Sequence, residues 1–251
     1  MKIFVISLSE STDRQQFIKT QLDKNNTSFD FITAVNGKEL TDSEKEKLYD
    51  DKKAKKIRRE LTPGEIGCAL SHKTIYDKMI KENIKRAVIL EDDITIKTDF
   101  YDLLQYFEKI PLNKYIIKLE RFNWENNNEN NEVSGNFTQW HRKRVNKEYF
   151  IGQPINNPTL TWGYYIDLEA AKILYSLMPK VFLVADAWWY FRKYINLRMI
   201  NKALLSNNDD IFNSLIGERN YIFSNYKKKY MFYKMKTLLK KTIKLFILLL
   251  K

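Results

Sequence analysis

The sequence predicts an α/β fold built on a mostly parallel sheet. Short β-branched runs alternate with amphipathic segments at spacings of about twenty to thirty residues, which is typical of strands that alternate with helices. Two capping boxes mark helix starts between these runs. Hydrophobic residues make up 44% of the 251 residues, enough for a sizeable core. We expect residues 1–220 to form one folded body and residues 221–251 to form an appended basic tail.

The first elements follow from short local patterns. Residues 2–8 are a β-branched run bounded by polar residues, which predicts a buried first strand. A helix follows, with Ser11 or Thr12 as its N-cap. Residues 29–33 predict a second strand, and Asn36-Gly37 predicts a turn.

Two capping boxes then open helices. Thr41 and Glu44 begin a charged helix, and Thr62 and Glu65 begin a longer one that runs to about residue 83. Pro63 takes the first helical position of the longer helix, where its missing N–H costs nothing. Further strands are predicted at residues 86–90 and 115–119, and a further helix at residues 168–178.

Three acids end the strand at residues 86–90: Glu91, Asp92 and Asp93. Ligands of open α/β sheets bind outside the carboxyl ends of the strands. Clustered carboxylates repel one another, and a divalent cation with diphosphate oxygens would supply the counter-charge. Strand alternation would point Glu91 and Asp93 to one side and Asp92 to the other. A solvated loop after a strand is the alternative interpretation.

Four blocks of residues carry a family resemblance. They are Val5-Ile6-Ser7-Leu8 with Thr12-Asp13-Arg14; residues 61–72, read as LTPGEIGCALSH; Val88-Ile89-Leu90-Glu91-Asp92-Asp93; and residues 161–166, read as TWGYYI, with Glu169-Ala170-Ala171-Lys172 and Asp186-Ala187-Trp188-Trp189. With them the sequence resembles the bacterial lipooligosaccharide glycosyltransferases of family 25, which are β-1,4-galactosyltransferase-like, over roughly residues 1–205.

The resemblance implies an activity as well as a fold. It implies a GT-A-like nucleotide-sugar-binding fold, transfer with inversion at the anomeric carbon, UDP-galactose as donor, and Mn²⁺ (or Mg²⁺) as metal. Trp162 and Tyr164 flank Gly163 where the family has a small residue and a threonine. The donor sugar therefore stays open between galactose and the alternatives, which are UDP-glucose and a UDP-N-acetylhexosamine.

The resemblance also implies roles for the acids. Asp93 is expected to hold the metal, with Glu91 as a second ligand that also faces the nucleotide. Asp186 is expected to be the general base that takes the acceptor proton, and Asp92 or Glu91 is the alternative base. Asp186 could instead cap the helix that follows it. Trp188 and Trp189 could form an apolar platform for a sugar ring or belong to the core.

The remaining predicted site residues bind the donor. Ser7, Leu8, Asp13 and Arg14 follow the first strand, where nucleotide loops lie in α/β folds, and Arg14 could meet a phosphate. On the longer helix, His72 is expected to contact donor phosphate or acceptor, and Glu65 to act as helix cap or ligand. These residues complete the donor set with Glu91.

The net charge of +12 lies mostly in the tail. Residues 221–251 hold nine lysines and no acid, so the other 220 residues carry only +3. On a helical wheel, residues 231–246 separate an apolar face from a lysine face, the pattern of an interfacial helix. We expect this tail to bind the inner face of the cell membrane, where a lipid-linked oligosaccharide acceptor would be found. Packing on the body or on a second subunit is the alternative.

The composition of the chain excludes several classes of protein and of binding site. The single cysteine, Cys68, excludes a disulfide framework and a cysteine-based zinc site within one chain, and it fits a cytoplasmic location. No segment is predicted as a signal peptide or a transmembrane helix. Because the basicity is confined to the tail, no nucleic-acid partner is expected. A non-catalytic basic protein that binds membrane or nucleic acid is the alternative of another class, and a nucleotidyltransferase is disfavoured because no glycine-rich phosphate loop is present.

Overall fold

The computed structural model of the chain describes residues 1–120, 142–155 and 157–207. Within these ranges the strands are β1 (Lys2–Ser7), β2 (Asp30–Thr33), β3 (Arg86–Glu91), β4 (Ile94–Ile96), β5 (Tyr115–Lys118), β6 (Lys143–Arg144), β7 (Phe150–Gly152), β8 (Gly163–Asp167), β9 (Asn196–Ile200) and β10 (Leu205–Asn207). The helices are α1 (Thr12–Asp23), α2 (Asp42–Leu48), α3 (Asp51–Ile57), α4 (Pro63–Lys81), α5 (Asp99–Lys109), α6 (Leu168–Leu177) and α7 (Trp188–Phe191). The predicted amphipathic tail lies outside the described residues.

The central sheet has the strand order β2-β1-β3-β8-β5-β9-β7-β6. Six of its eight strands run in one direction, and β8 and β7 run in the other. The predicted α/β class is confirmed. The sheet is largely parallel by strand direction but mixed, because β8 is inserted antiparallel between β3 and β5. A smaller two-stranded sheet pairs β4 with β10.

The alternation of side chains along the strands produces two cores, one on each face of the sheet. Phe4 and Ile6 of β1 face the core that contains α4 and α6. Ile3 and Val5 face the core that contains α1 and α5. The fold is therefore three-layered, with helices covering both faces of strands that are buried on both sides.

Both predicted capping boxes are present. In the second, the backbone N–H of Glu65 donates to Thr62 Oγ1 at 3.3 Å and the Thr62 N–H donates to Glu65 Oε2 at 3.0 Å. The start of α4 is further fixed by a close backbone approach, because a Cβ added at Gly67 would lie 2.3 Å from the Val35 carbonyl oxygen. The orientation of α4 on the sheet is thus set from its first turns.

Among the described helices, none combines the length and the apolar character that a membrane crossing requires.

Candidate functional site

Four strands deliver polar side chains to one edge of the sheet. Strands β1, β3 and β5 point the same way, so their carboxyl ends meet at this edge. Because β8 is antiparallel, it is the beginning of β8 that lies there, with Gly163 opposite Leu90. Ser7, Glu91, Glu120 and Thr161 therefore share one rim, which we call the carboxyl rim.

Asp92 and Asp93 are held by a buried network. The Ser7 hydroxyl donates to Asp92 Oδ2 at 2.6 Å. One nitrogen of Arg14, Nη1, donates to Asp92 Oδ1 at 3.2 Å and to Asp93 Oδ2 at 2.9 Å. Arg14 is only 8% exposed, so its charge is directed at these carboxylates. The structure thus brings together Ser7, Arg14, Asp92 and Asp93, and it shows ion pairs at Arg14 where the sequence suggested a phosphate contact.

The expected alternation of the three acids is wrong. Strand β3 ends at Glu91, and residues 92–93 form the turn that leads to β4. The period of two that applies within a strand does not continue through a turn. Asp92 and Asp93 therefore both reach Arg14, while Glu91 faces elsewhere.

Glu91 turns toward β8 and carries a raised pKa. The Thr161 hydroxyl donates to Glu91 Oε1 at 2.5 Å. Burial, reinforced by the nearby charge of Asp93, raises the pKa of Glu91 to about 8. Burial also raises the pKa of Asp93, against the lowering effect of Arg14. Asp93 Oδ1 is buried and makes no hydrogen bond within the part of the chain that the structure describes. The carboxyl rim is therefore short of positive charge.

His72 lies beside Glu91. Its Nδ1 contacts the Tyr164 hydroxyl at 2.8 Å, and the Tyr164 hydroxyl in turn contacts the Tyr76 hydroxyl at 2.8 Å. Burial lowers the pKa of His72 to about 3, so the imidazole is neutral near pH 7. Ligand atoms of Cys68, His72 and Glu91 all lie within 4.8 Å of one another.

A buried ion pair under the rim was missed by the sequence reasoning. Lys118 and Glu120 form a salt bridge with side chains 0% and 1% exposed. The Lys118 ammonium also donates to the Leu160 carbonyl and lies 5.1 Å from the Trp188 ring centre. The available signal was an acid directly after the predicted strand 115–119, the same signal that singled out Glu91.

Asp186 holds the segment that enters β8. Its Oδ2 accepts a hydrogen bond from the Leu160 N–H at 3.1 Å, and Leu160 has a φ of 67°. The Trp188 indole donates to the Leu160 carbonyl at 2.8 Å. Two side chains from the α7 region and Lys118 thus clamp a backbone conformation that non-glycine residues rarely adopt. This segment carries Thr161, the partner of Glu91.

The helix-cap interpretation of Asp186 is wrong, because α7 begins after Ala187 and has no side-chain cap. Trp188 cannot be a sugar platform, since it is fully buried and packs edge-on against Tyr164 with ring centres 5.4 Å apart. Trp189 is partly buried and keeps some surface.

Three other predicted site residues have surroundings or contacts of a structural kind. Asp13 is exposed in the first turn of α1. The Leu8 carbonyl accepts from the Gln15 side chain at 2.8 Å and so fixes the turn after β1. Glu65 completes its capping box and forms a bidentate salt bridge with Arg59 at 2.7 and 2.8 Å. These contacts give Glu65 a structural function.

The raised pKa of Glu91 predicts a pH-dependent stability. The pKa of Glu91 is about 8 in the folded chain and 4.5 as its ordinary value, so the folded chain holds this proton more tightly than the unfolded chain does. The resulting contribution to the free energy of unfolding is fully present below pH 4.5. This contribution is lost as the pH rises through the window between the two values. We expect thermal melts without divalent cations to show wild type losing stability relative to Glu91→Gln from pH 5 to pH 8.5. Glu82→Gln, at an exposed helical salt bridge, is the control. Parallel pH curves for wild type and Glu91→Gln would contradict the prediction.

The Lys118–Glu120 pair predicts a large stability effect. Lys118→Met removes the counter-charge and leaves a buried carboxyl group whose pKa burial already raises. We expect a loss of about 3–5 kcal/mol in the free energy of unfolding at pH 8, measured by chemical denaturation. Lys172→Met, at an exposed pair with Glu169, should change it by less than about 1 kcal/mol. Equal effects of the two substitutions would show that the buried pair is not a stability determinant.

Comparison with known proteins finds a family model that matches most of the chain. A family model described as "Glycosyltransferase family 25 (LPS biosynthesis protein)" matches residues 1–189, a range that contains every predicted site residue. A "Putative glycosyltransferase" of Haemophilus influenzae is 30% identical over 117 residues, which is 47% of this chain and 40% of that protein. "Procollagen galactosyltransferase 1-A" of Xenopus laevis is 28% identical over 188 residues, 72% of this chain and 29% of that protein.

Another relative carries a different description. "Probable inactive glycosyltransferase 25 family member 3" of Bos taurus is 31% identical over 121 residues, 45% of this chain and 20% of that protein. The matched segments thus span between a fifth and two fifths of these three curated relatives.

The sequence identity to two similar solved structures is lower than the identity to these relatives. A197 from STIV superposes with a TM-score of 0.42 at 13% identity, covering 81% of this chain and 82% of A197. A glycosyltransferase involved in glycosylation of the PBCV-1 major capsid superposes with a TM-score of 0.33 at 12% identity, covering 70% and 65% of the two chains.

Proposed function

Because the chain belongs to glycosyltransferase family 25, we propose that it transfers a hexose, galactose first among the candidates, from a UDP-sugar to a hydroxyl of a lipooligosaccharide or lipopolysaccharide acceptor. The reaction is a single displacement with inversion on a GT-A-like fold. The observation that carries this proposal is the carboxyl rim, where the network of Arg14, Asp92 and Asp93 lies near Glu91 and the clamped entry to β8. Nucleotides bind α/β sheets at such an edge.

The donor end of the site is assigned to Asp93. Its buried Oδ1 has no hydrogen-bond partner among the described residues, and it lies next to Glu91, whose pKa is raised by burial and by the Asp93 charge; both features fit a divalent cation. Carboxylate and diphosphate oxygens are the hard ligands that Mn²⁺ and Mg²⁺ take. When bound, the cation neutralises the charge that develops on the UDP leaving group. Glu91 would share the cation or face the nucleotide, and Ser7 and Arg14 hold the acid turn in place.

The acceptor end is assigned to Asp186. In an inverting transfer the acceptor hydroxyl oxygen forms a bond with the anomeric carbon while the bond from that carbon to the UDP oxygen breaks. The hydroxyl proton passes to a carboxylate within hydrogen-bond reach, for which Asp186 is the first candidate and Asp92 the second. One Asp186 oxygen accepts from Leu160, which orients the carboxylate and leaves the other oxygen for the acceptor.

The donor sugar is expected to depend on the β8 entry. Trp162 and Tyr164 are both buried, and the Tyr164 hydroxyl is engaged by His72 and Tyr76. We expect these bulky residues on either side of Gly163 to shape the proposed donor-sugar pocket through their packing. UDP-glucose and UDP-N-acetylhexosamines therefore remain the alternative donors to UDP-galactose.

Nucleotide release by the purified full chain tests the reaction. UDP-galactose, UDP-glucose and UDP-N-acetylglucosamine are offered with Mn²⁺ or with EDTA, and with oligosaccharides ending in glucose, galactose or N-acetylglucosamine. We expect Mn²⁺-dependent UDP release that one acceptor stimulates, and a product of inverted anomeric configuration by NMR. A retained configuration would overturn the mechanism, and release of pyrophosphate from UTP would indicate a nucleotidyltransferase.

The tail is proposed to hold the enzyme on the inner face of the membrane. Replacing Lys234, Lys236, Lys240, Lys241 and Lys244 with glutamine keeps the apolar face and removes the charge. We expect the full chain to float with vesicles containing anionic lipid and the five-fold variant to stay behind, because each lysine contributes about 1 kcal/mol at such a surface. Both proteins should release UDP equally. If neither releases UDP and only wild type binds vesicles, the non-catalytic basic protein is the better description.

A further inference from the structure

A mixed-ligand cluster lies between α4 and the end of β3, next to the acid turn but distinct from it. Cys68 and His72 stand one helical turn apart, at positions that face the same way on a helix. Glu91 is the last residue of β3. One ligand atom from each residue lies within 4.8 Å of the other two. The three side chains come from two elements that meet only in the folded chain.

The imidazole offers an unused ligand atom to this cluster. His72 is 2% exposed, and its Nε2 is buried without a hydrogen bond to any residue in the described ranges. A buried polar atom without a partner is costly, so native structures normally satisfy it with water, an ion or another group. Cys68 and Glu91 are the metal-ligating neighbours of this ring, and a cation held together with them would be such a partner.

Neighbouring groups already hold two of the ligands in orientation. His72 Nδ1 contacts the Tyr164 hydroxyl at 2.8 Å, and the two rings stack with centres 5.7 Å apart. Thr161 holds Glu91 through Oε1. Metal-bound histidines characteristically donate from their other ring nitrogen to a neighbour, and metal-bound carboxylates are themselves hydrogen-bonded. Here Glu91 is hydrogen-bonded, and His72 Nδ1 is placed to donate to the Tyr164 hydroxyl when Nε2 is the ligand atom.

We infer that Cys68, His72 and Glu91 form a binding site for a borderline divalent cation of the Zn²⁺ type. One thiolate, one imidazole and one carboxylate are three protein ligands, which leaves a fourth tetrahedral position for water. The single cysteine excludes sites built from several thiols, but it does not exclude this mixed set. The ligand chemistry differs from that of Asp93, where oxygen ligands suit Mn²⁺ or Mg²⁺.

Binding changes the protonation of the cluster. The Cys68 thiol, and Glu91 where it is protonated, release their protons to solvent as the bonds to the metal form, and no electron is transferred. The bound cation would tie α4 to the end of β3 and fix the orientation of Glu91. The inference stands on the geometry of the cluster. It shares Glu91 with the proposed donor site, so the test must distinguish the two sites.

Cobalt(II) is the probe that tests the site, added anaerobically to the full chain and followed by absorption. Because Cys68 is the only cysteine, a sulfur-to-cobalt charge-transfer band reports this residue alone. We expect one equivalent of Co²⁺ to produce the band, Zn²⁺ to displace it, and Cys68→Ser to abolish it. His72→Gln should also lose it, while His141→Gln, at the other histidine of the chain, should keep it.

Asp93→Asn separates this site from the donor site. It should keep the cobalt band while losing UDP release. No charge-transfer band at saturating Co²⁺, in wild type shown by circular dichroism to be folded, would overturn the inference and leave water as the partner of His72 Nε2. A band that persists in folded His72→Gln and Glu91→Gln would also overturn it, since Cys68 would then bind without its two partners.

Discussion

Asp93→Asn is expected to reduce the rate of UDP release by about 10²–10³-fold, the size of effect seen when one group that stabilises transition-state charge is removed. The amide keeps the shape of the carboxyl group but loses the charge that a divalent cation needs. Asp93 Oδ1 is a buried oxygen without a hydrogen-bond partner among the described residues, so the substitution acts where the cation is proposed to bind. UDP release with saturating donor and Mn²⁺ measures the effect.

A matched control separates charge loss from misfolding. Asp77→Asn removes a carboxylate that pairs with exposed Lys81 on α4 and should leave UDP release at the wild-type rate. Both variants should melt close to wild type, because Arg14 retains Asp92 as an ion-pair partner in the Asp93 variant. A folded Asp93→Asn protein with wild-type release and unchanged Mn²⁺ dependence would remove Asp93 from the donor site.

Asp186→Asn is expected to slow transfer to the acceptor by about 10²–10⁴-fold, because an amide cannot accept the hydroxyl proton. The side-chain oxygen of asparagine still accepts from the Leu160 N–H, so the clamp on the β8 entry is kept. Acceptor-stimulated UDP release is the readout, and donor binding should be unchanged.

Asp186→Ala supplies the contrast. It removes both the carboxylate and the Leu160 hydrogen bond, so it should also lower stability and donor binding. If Asp186→Asn transfers at the wild-type rate while Asp186→Ala does not, the residue acts only by positioning Leu160. The same panel on Asp92→Asn then tests the second candidate base.

Local sequence signals located much of the fold. Strand β1 and helices α2 and α4 begin at or within one residue of their predicted starts, and α4 ends two residues before its predicted end. Capping boxes and β-branched runs specify such boundaries because the groups involved are neighbours in sequence. The acid cluster at the end of β3 was found for the same reason.

The direction of β8 could not be predicted in this way. Residues 161–166 carry a motif, but strand direction depends on which neighbours the strand meets after the chain turns back. The clamp on Leu160 was missed for the same reason, since it depends on residues that are far apart in sequence. Lys118 and Glu120 are only two residues apart, but their complete burial depends on the neighbouring elements. Asp92 and Asp93 contact Arg14 whereas Glu91 contacts Thr161, because β3 ends at Glu91 and the next two residues form a turn.

Calorimetric titration of UDP into the metal-free full chain, with Mn²⁺ or with EDTA, tests the central claim most directly, because it needs neither the correct sugar nor the acceptor. We predict binding at one site with Mn²⁺, loss of that binding with EDTA, and the same loss in Asp93→Asn, while Asp77→Asn binds as wild type does. UDP binding that is equally tight with EDTA and in Asp93→Asn, or no binding under any condition, would contradict the assignment of the carboxyl rim as a metal-dependent nucleotide-sugar site.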